Sequence, residues 1–454
     1  MSVVAAPDSQ SRRGAAPVLI VGLGVTGLSC ARYFARLGQP MRIVDSRSEP
    51  PGLEGLRQLD AQVDLRLGEL AESSLQGVAE VVVSPGVPLD TPIVSEARQR
   101  GLDVAGDIEL FARAAPAPVA AITGSNGKST VTQLTAELLA GCGLEVRAGG
   151  NLGPAALNLL EEAAPDCFVL ELSSFQLELT ESLHPKAATV LNLSADHMDR
   201  HGSLERYAAA KARIFRGAET AVVNREDPAV RSMAPSSMHR ISFGLDAPGE
   251  GHYGLREKDG ASWLARGHEL LMPASELSLA GRHNIANALA ALAMTEAMGA
   301  DPEQGLDRLR HFPGLPHRTQ RVGEIGGVVF IDDSKGTNVG AAVAAILGMT
   351  GPVVLIAGGD GKGADFAALA AAARDKVHTA VLLGRDADRM AAALEGVCAI
   401  RRAGDMDQAV QQAAEAARAG DTVLLSPACA STDMFSDYTQ RGRIFVDAVG
   451  RLAS

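Results

Sequence analysis

The stretch AAITGSNGKSTVTQL, residues 120–134, has the form of a phosphate-binding loop set between a strand and a helix. The usual pattern is G-x-x-x-x-G-K-[ST]. This chain has Ile122 where the first glycine would stand, and its glycine comes at Gly124. In such a loop backbone N–H groups surround the phosphates of ATP, the lysine contacts the β- and γ-phosphates, and the hydroxyl next to it is offered to Mg²⁺. The residues predicted to bind ATP here are Gly124, Ser125, Asn126, Gly127, Lys128, Ser129 and Thr130.

A second glycine motif, VGLGVTGLS, lies nearer the N-terminus at residues 21–29. Gly22, Gly24 and Gly27 satisfy G-x-G-x-x-G between a predicted strand and a predicted helix, and Asp45 ends the next predicted strand, where an acid that binds a ribose is expected. Read alone, the motif predicts a nicotinamide or flavin dinucleotide. It specifies only a diphosphate, however, and a UDP-sugar also carries one. A tight turn without a ligand is the third interpretation.

Size and composition narrow the class of protein. A chain of 454 residues with 46% apolar and 21% charged residues is typical of a globular protein with about three domains. The formal net charge of −12, without a basic stripe, argues against nucleic-acid binding. No apolar run approaches the ~20 residues of a membrane span, the N-terminus lacks the apolar core of a signal peptide, and the five cysteines are scattered. We therefore expect a cytoplasmic protein without nucleic-acid or membrane partners.

Strands that alternate with helices divide the chain into three segments, each of which predicts a parallel α/β sheet. Residues 1–106 are predicted to form a Rossmann-like domain with strands at 18–24, 41–46 and 80–88. Residues 107–313 are predicted to form a central P-loop domain, with a small antiparallel excursion at roughly 225–270 and a long helix at 281–299. Residues 314–454 are predicted to form a second Rossmann-like domain, with strands at 328–334, 352–359, 379–385 and 421–427.

Two polar side chains follow predicted strands of the central segment. Glu171 and His197 each stand at a strand end, and in a parallel sheet such ends share one edge with the phosphate-binding loop. A carboxylate and an imidazole there are candidates for binding a divalent ion, although a helix-capping acid and a turn histidine are the ordinary interpretations. His197 and His201 also have the i, i+4 spacing of a zinc pair. A zinc protease of that type needs glutamate directly after the first histidine, and Met198 holds that place.

Eleven motifs taken together closely resemble the Mur ligases. In chain order they are GLGVTG, TGSNGKST, GGNLG, LELSSFQLE, NLSADHMDRHGS, YAAAKARIF, GRHNIANALAA, GLPHR, DDSKGTN, GGDGKG and SPACAS. The resemblance covers nearly the whole chain and includes the 225–270 region only loosely. T-G-x-N-G-K-[ST] is the family's own form of the phosphate-binding loop, which accounts for Ile122. SSFQLE and the DDSKGTN and GGDGK pair point to the members that add glutamate to UDP-N-acetylmuramoyl-L-alanine.

The resemblance implies four groups of site residues. The first domain would bind the UDP of the substrate through Gly22, Gly24, Thr26, Gly27, Asp45, Ser46, Arg47, Gly86 and Asn151. ATP would also meet Asn284 and Asn287 near the adenine, and Arg318 and Asp333 from the third domain. Mg²⁺ would be bound by Ser129, Glu171, His197 and a carbamylated Lys211. Glutamate would be bound by Lys335, Thr337, Lys362, Ser431 and Tyr438, where Tyr438 replaces an expected phenylalanine and Gly336 is smaller than expected beside Lys335.

The resemblance also implies a reaction. The γ-phosphoryl group of ATP activates the substrate carboxylate as an acyl phosphate, and the amine of glutamate displaces the phosphate through a tetrahedral intermediate. Lys128, Glu171, His197 and Lys211 would be the catalytic residues, ATP and Mg²⁺ the required small molecules, and the enzyme a monomer of peptidoglycan precursor synthesis. Without the resemblance, Lys211 is an ordinary solvated helical lysine.

Three other functions stay open at this stage. They are an NAD-dependent oxidoreductase built on GLGVTG, a regulatory P-loop ATPase or binding module, and a folylpolyglutamate synthetase. The sequence does not fix the stereochemistry of the glutamate.

Overall fold

The computed structural model describes residues 16–279 and 281–452, and its strands form three sheets in chain order. The strands are β1 Val18–Val21, β2 Met41–Asp45, β3 Val63–Leu67, β4 Glu80–Val83, β5 Asp103–Ala105, β6 Val119–Thr123, β7 Val146–Gly150, β8 Cys167–Glu171, β9 Ala187–Val190, β10 Thr220–Asn224, β11 His239–Phe243, β12 Tyr253–Lys258, β13 Ala261–Arg266, β14 Glu269–Pro273, β15 Gln320–Ile325, β16 Val328–Asp332, β17 Val353–Gly358, β18 Val377–Leu383, β19 Ala399–Arg402 and β20 Thr422–Leu425.

The described helices connect these strands and pack on the sheets. The α-helices are α1 Val25–Arg36, α2 Leu53–Arg57, α3 Pro92–Gln99, α4 Asp107–Ala114, α5 Lys128–Gly141, α6 Ser174–Leu177, α7 Met198–His201, α8 Leu204–Ala212, α9 Pro228–Arg231, α10 Arg282–Ala297, α11 Leu306–His311, α12 Val339–Gly348, α13 Ala367–Ala373, α14 Ala387–Leu394, α15 Met406–Ala416 and α16 Tyr438–Leu452. Short 3₁₀ turns cover Glu72–Leu75, Ala156–Leu160, Arg213–Phe215, Ala274–Glu276 and Pro302–Gly305.

The first sheet is wholly parallel, in the order β3-β2-β1-β4-β5. Its central strands VLIV and EVVV are almost entirely buried, as expected of a parallel sheet covered by helices on both faces. The strand order reverses at β1, and in such sheets ligands bind at the carboxyl edge beside the reversal. The loops after β1, β2 and β4 meet at that edge.

The second sheet has the order β14-β13-β12-β11-β10-β9-β6-β8-β7. It is parallel from β12 to β7, whereas β13 pairs with both of its neighbours in antiparallel fashion. Asp259 and Gly260 form a two-residue turn between β12 and β13, both with positive φ, as a type I′ hairpin requires. The predicted antiparallel excursion is therefore confirmed for β12 to β14, which lie at the edge far from β6. For the first part of the predicted range it was wrong, because that part holds α9 and β11, and β11 pairs with β10 in parallel.

The third sheet has the order β15-β16-β20-β17-β18-β19 and is parallel except for β15. Each face carries an apolar cluster, one with α12, α13 and α14 and the other with α15 and α16. The three-sheet α/β architecture predicted from the sequence is confirmed. Its domain boundaries, after residues 106 and 313, stay predictions.

The first two sheets share one apolar core. Helix α4 follows the first sheet, and its Phe111 packs edge-to-face on Phe168 of β8, with ring centroids 5.1 Å apart. Ile108 and Leu110 belong to the same buried cluster as Ile20 of β1. In addition, Ser29 of α1 donates a hydrogen bond of 2.8 Å to Asn158 of the central segment. These contacts fix the first sheet against the second.

Five strands escape the sequence-based prediction, and all five lie at sheet edges. They are β3, β5, β7, β15 and β19. The expectation of three strands in the first segment and four in the third was wrong for this reason. Most residues of these strands are exposed or only partly buried, so they lack the continuous apolar run that marks the central strands. In the described part of the chain, no helix combines the length and the apolar character needed to cross a bilayer.

Candidate active site

The phosphate-binding loop follows β6 and ends at the first turn of α5. Gly124 and Gly127 have φ values of 154° and 81°, and a Cβ on Gly124 would lie 3.0 Å from the Cβ of Leu191. Asn192 holds the loop from the next strand: it accepts from the backbone N of Asn126 at 2.8 Å and donates to the carbonyl of Asn126 at 3.0 Å. The backbone N–H groups at the start of α5 therefore face the cavity in a fixed arrangement, as anion binding requires.

Lys128 is the first residue of α5, and its ammonium group lies over the loop. It donates to the carbonyls of Gly124 and Ser125, both at 2.9 Å. Burial lowers the pKa of Lys128, while the charge of Glu171 raises it.

Glu171 joins two parts of the candidate site. It ends β8, which lies in parallel register beside β6, and it is buried. One carboxylate oxygen accepts from Ser129 Oγ at 2.5 Å and the other accepts from Asn151 Nδ2 at 2.6 Å. The predicted metal ligands Ser129 and Glu171 are thus in direct contact, and Asn151, predicted to contact the UDP-substrate, is bonded to the same carboxylate.

Lys211 is buried, although a helical lysine is ordinarily solvated. Its Nζ donates to the carbonyl of Gly124 at 2.7 Å and to Thr123 Oγ1 at 3.3 Å. The ring of Tyr207, one turn earlier on α8, lies 4.5 Å from the same nitrogen. Burial, and then the positive charge of Lys128, lower the pKa of Lys211 well below its usual range.

His197 lies directly before the short helix α7 and His201 is its last residue, and the two side chains contact different partners. His197 has φ 56° and packs edge-to-face on Phe175 at 4.9 Å, and burial lowers its pKa. The Nε2 atom of His201 is 3.0 Å from Ser174 Oγ, and the His201 ring stacks on Phe175 at 5.4 Å. Among residues 16–279 and 281–452, no three His, Cys, Asp or Glu side chains are grouped to hold a metal ion.

The third sheet closes on the nucleotide loop through two side chains. Arg318 donates from Nη2 to Ser129 Oγ at 2.5 Å. Asn338 donates from Nδ2 to Asn126 Oδ1 and to Asp196 Oδ2, both at 3.1 Å, and its own oxygen caps α12 by accepting from the backbone N of residue 341 at 2.8 Å. The loops after β16 and before β15 therefore complete the wall of the site.

The loop after β16 also carries Lys335, whose ammonium group lies 4.2 Å from the ring centroid of Tyr438. Burial, and then the nearby charges of Arg318 and Lys128, lower the pKa of Lys335 to about 8. A cation over an aromatic face is a stabilising arrangement. The structure thus brings together two of the five predicted glutamate-binding residues.

Asp333 opens the same loop and accepts from Ser426 Oγ at 2.7 Å. Burial raises the pKa of Asp333 to about 7. A Cβ on Gly336 would lie 2.5 Å from Asp333 Oδ2 and 2.8 Å from Ser426 Oγ. The small residue at position 336, unexpected from the sequence, is therefore matched to the packing of its neighbours.

Most of the predicted ATP, metal and glutamate residues line one cavity of about 630 Å³. Those on its wall are Ser125, Asn126, Gly127, Lys128, Ser129, Thr130, Glu171, His197, Lys211, Asn284, Asn287, Arg318, Asp333, Lys335, Thr337 and Lys362. Asn151, predicted to contact the UDP-substrate, lines the same cavity. Gly124 contributes its carbonyl just behind this wall. Ser431 and Tyr438 lie outside it, on or beside loops that border it.

Except for Asn151, which lines the cavity, the predicted UDP residues lie at a separate place, the carboxyl edge of the first sheet. Asp45 is buried, and its carboxylate accepts from the backbone N of Leu23 at 2.7 Å and from Arg47 Nη2 at 2.7 Å. The hydrogen bond from Arg47 is the main reason that the pKa of Asp45 falls to about 2. Ser84 Oγ donates to the carbonyl of Gly22 at 2.8 Å. These bonds join the glycine loop to the loops that carry Ser46 and Gly86.

Several residues of the site were not predicted. Asn192, Asp196 and Tyr207 line the cavity, as does Asn338. The first three lie in or next to motifs after β9, so the rule that ligands bind at the carboxyl ends of parallel strands was the available signal. Asn338 follows Thr337 directly in DDSKGTN.

Three protein-family models match this chain, and each match falls on the segment that forms one of the three sheets. Family models match residues 16–106 (Mur ligase MurD-like, N-terminal domain), 122–295 (Mur ligase middle domain) and 317–429 (Mur ligase, glutamate ligase domain). A Nitrosococcus oceani protein named "UDP-N-acetylmuramoylalanine--D-glutamate ligase" is 50% identical over 97% of this chain and 98% of its own length. A Pseudomonas putida protein of the same name is 51% identical over 96% and 97%.

A solved structure shares the fold at low sequence identity. It is UDP-N-acetylmuramate-alanine ligase MurC from Thermotoga maritima, with a TM-score of 0.62 and 19% identity over 96% of this chain and 99% of that one.

Proposed function

This chain belongs to the Mur ligase family, and from that premise we propose that it joins D-glutamate to UDP-N-acetylmuramoyl-L-alanine, with hydrolysis of ATP to ADP, in peptidoglycan precursor synthesis. The observation that carries the proposal is the single cavity in which the nucleotide loop, the Ser129–Glu171 pair and the cations of the third sheet meet. A regulatory ATPase needs only the first of these. An oxidoreductase built on the glycine loop of the first sheet uses none of them.

The proposed reaction requires the cavity to stabilise the negative charge of the ATP phosphates and of the substrate carboxylate. A carboxylate is a poor electrophile because its leaving group would be oxide. An acyl phosphate is a better electrophile because its leaving group is phosphate. Positive groups that stabilise charge on the transferring phosphoryl group are the main catalytic need of such a step. We propose Lys128 and Arg318 for that role; the proposal is supported by the position of Lys128 directly after the phosphate loop and by the contact of Arg318 with the hydroxyl of Ser129.

The residues present fit Mg²⁺. This ion prefers oxygen ligands and is usually bound by one or two carboxylates together with substrate phosphates. Ser129 Oγ and the Glu171 carboxylate are oxygen donors 2.5 Å apart at the base of the nucleotide loop, and His197 lines the same cavity. Bound there, Mg²⁺ would offset negative charge on the phosphates. We propose these three residues, together with a carbamylated Lys211, as its protein ligands.

The proposed carbamylation of Lys211 is supported by its surroundings. An ammonium group cannot ligate a cation, but a neutral amine can add CO₂ and become an anionic carbamate with oxygen donors. Burial and the nearby charge of Lys128 favour the neutral amine of Lys211. Mass spectrometry under non-acidic conditions is expected to find the intact protein heavier by one CO₂ when bicarbonate is present, and Lys211→Arg is expected to lack that addition.

The substrates are proposed to occupy two ends of the cleft. UDP would lie at the carboxyl edge of the first sheet, and Asn151 and Glu171 connect that side to the metal ligands. Glutamate would lie at the carboxyl edge of the third sheet, where Lys335 and Lys362 offer positive charge to its two carboxylates.

The deciding experiment measures phosphate release from ATP with UDP-N-acetylmuramoyl-L-alanine and either D-glutamate, L-glutamate or no amino acid. We expect stimulation by D-glutamate alone, with the ligated product detected by mass. Stimulation by L-glutamate alone would overturn the substrate assignment and keep the ligase. Equal release in all three reactions would overturn the ligase and favour the simple ATPase.

A further inference from the structure

A charged side chain in the third domain is buried without an acidic partner. Arg441 of α16 is 2% exposed and is among the largest fully buried side chains in the described chain. None of the ion pairs formed by the described residues includes it. Burial lowers its pKa to about 10. Burying a charge without an ion pair is costly, so such a group is ordinarily held by several hydrogen bonds.

The hydrogen bonds of Arg441 join the loops that follow two neighbouring strands. Nε donates to Ser334 Oγ at 3.0 Å, and Nη2 donates to the carbonyl of Ser334 at 2.7 Å. Nη1 donates to the carbonyl of Cys429 at 3.2 Å. Ser334 follows β16 and Cys429 follows β20, and these two strands are paired. A single guanidinium group therefore sets the spacing between the two loops.

The same network reaches the first turn of α16. Ser334 Oγ, which accepts from Arg441, donates to the carbonyl of Tyr438 at 2.8 Å. Tyr438 in turn places its ring 4.2 Å from the ammonium group of Lys335. A shift of Ser334 would therefore move both partners of that cation–aromatic contact.

Arg441 is thus connected, through the residues it bonds and through its own helix, to three residues proposed to bind glutamate. Ser334 precedes Lys335, Cys429 lies two positions before Ser431, and Tyr438 is one helical turn from Arg441 itself. No other described arginine bonds to both loops. The geometry points to Arg441 as a positioning residue that holds the amino-acid subsite in shape, an inference that rests on the proposed ligase function.

The test is steady-state kinetics of Arg441→Lys with each substrate varied in turn. Lysine keeps the charge but loses the fork that reaches both loops. We expect KM for D-glutamate to rise about tenfold, with kcat within about threefold and KM for ATP and for the UDP-substrate within about twofold, because an interaction that only shapes one binding site acts on binding of that substrate.

A second variant guards against a folding defect. Ser334→Ala removes the hydroxyl that accepts from Arg441 Nε and donates to the carbonyl of Tyr438. It leaves the two contacts of Arg441 with backbone carbonyls, so we expect a smaller rise of KM for D-glutamate, roughly threefold. The matched control is Arg225→Lys. Arg225 also donates to a backbone carbonyl and a serine, Tyr253 at 2.9 Å and Ser242 at 3.1 Å, but in the second sheet. We expect it to leave KM for D-glutamate unchanged.

Three outcomes decide the inference. A selective rise of KM for D-glutamate in both variants supports it. A rise of equal size for all three substrates, or none, in Arg441→Lys and Ser334→Ala would overturn it. If the wild-type protein forms no product with D-glutamate, the proposed function itself fails, and that result is separate from any difference between the variants.

Discussion

Arg318 and Ser129, which are 189 positions apart in the chain, are joined by a hydrogen bond of 2.5 Å from Nη2 to Oγ. Ser129 Oγ in turn donates a hydrogen bond to the carboxylate of Glu171, also at 2.5 Å. The third sheet, the nucleotide loop and β8 are therefore connected through one hydroxyl group. Changes at any of these three positions are expected to act on the same chemical step.

Arg318→Lys is expected to lower kcat for product formation by on the order of a hundredfold, because the partly buried guanidinium group that we propose to stabilise phosphoryl charge is lost while the net charge is kept. The measurement is ADP release with saturating substrates. Arg321→Lys is the control, because Arg321 is exposed on β15 and pairs with Glu324. Unchanged kcat in Arg318→Lys would remove this residue from the proposed mechanism.

Glu171→Gln is expected to raise the Mg²⁺ concentration needed for half-maximal activity by at least about tenfold, since a neutral amide is a weaker ligand than a carboxylate. Titration of activity with Mg²⁺ checks this. Glu181→Gln, whose side chain is 78% exposed, is the control and should titrate like the wild type. The same Mg²⁺ dependence in both variants would contradict the proposed ligand set.

Asn338→Asp is designed to keep the cap of α12 and lose the contact between sheets. Aspartate still accepts from the backbone N of residue 341, but it cannot donate to Asn126 and it meets the carboxylate of Asp196. We expect KM for ATP to rise about tenfold with little change in melting temperature, since two hydrogen bonds are lost. Asp405→Asn, at the cap of α15, is the control. A drop in melting temperature without a kinetic change would mean that Asn338 serves only its helix.

Gly24→Ala and Gly27→Ala separate ligand approach from packing in the first glycine loop. A Cβ on Gly27 would lie 2.0 Å from the carbonyl oxygen of Gly22, whereas a Cβ on Gly24 meets no atom within 4 Å. Gly27→Ala should therefore lower the melting temperature by several degrees. Gly24→Ala should leave it unchanged and raise KM for the UDP-substrate, because the added methyl stands where a diphosphate approaches the backbone. If Gly24→Ala changes neither quantity, the diphosphate does not bind at this loop.

Asp107 makes stability depend on pH. Burial raises its pKa from 3.8 to about 6, and one of its oxygens, Oδ1, has no hydrogen-bond partner. The folded protein keeps the proton of Asp107 at pH values where the unfolded chain has lost it, so the protonated group stabilises the folded state. This contribution to the free energy of unfolding is complete below the pKa of the unfolded chain and is lost as pH rises through about 6. Between about pH 4.5 and 7.5 the loss is about 2 kcal/mol.

The measurement for Asp107 is the melting temperature of Asp107→Asn relative to the wild type across that range. We expect the melting temperature of the variant to rise by a few degrees relative to that of the wild type as pH rises. Asp90→Asn, at an exposed position, is the control and should show a constant difference. A constant difference for Asp107→Asn would mean that Asp107 is ionised throughout.

The sequence predicted the central strands and both glycine loops because these carry strong local signals. VLIV, VAAIT and VVLIAG are buried runs that each precede a helix, and each phosphate motif has a fixed spacing of glycines. The edge strands have no such signal, because one of their sides has no neighbouring strand and most of their residues are exposed or only partly buried. Site residues within the glycine loops were likewise predicted, whereas residues such as Asn338, which carry no such signal, were not.

Contacts between distant parts of the chain were out of reach of any local pattern. Nothing near Arg441 in the sequence indicates burial, because a charged residue on an amphipathic helix is ordinarily exposed. Its position depends on Ser334 and Cys429, which reach it only after β16 and β20 have paired. The same holds for the bond of Asn338 to Asn126.

That bond between Asn338 and Asn126 has a consequence for genetics. The two residues are 212 positions apart but share one hydrogen bond, so a loss on one side can be offset by a change on the other. In a selection for growth at raised temperature, intragenic suppressors of an Asn126 defect should therefore arise in the 334–341 region as well as around the nucleotide loop. A recombinant gene that takes position 126 from one parent and position 338 from a distant relative would combine two residues that did not evolve to contact each other.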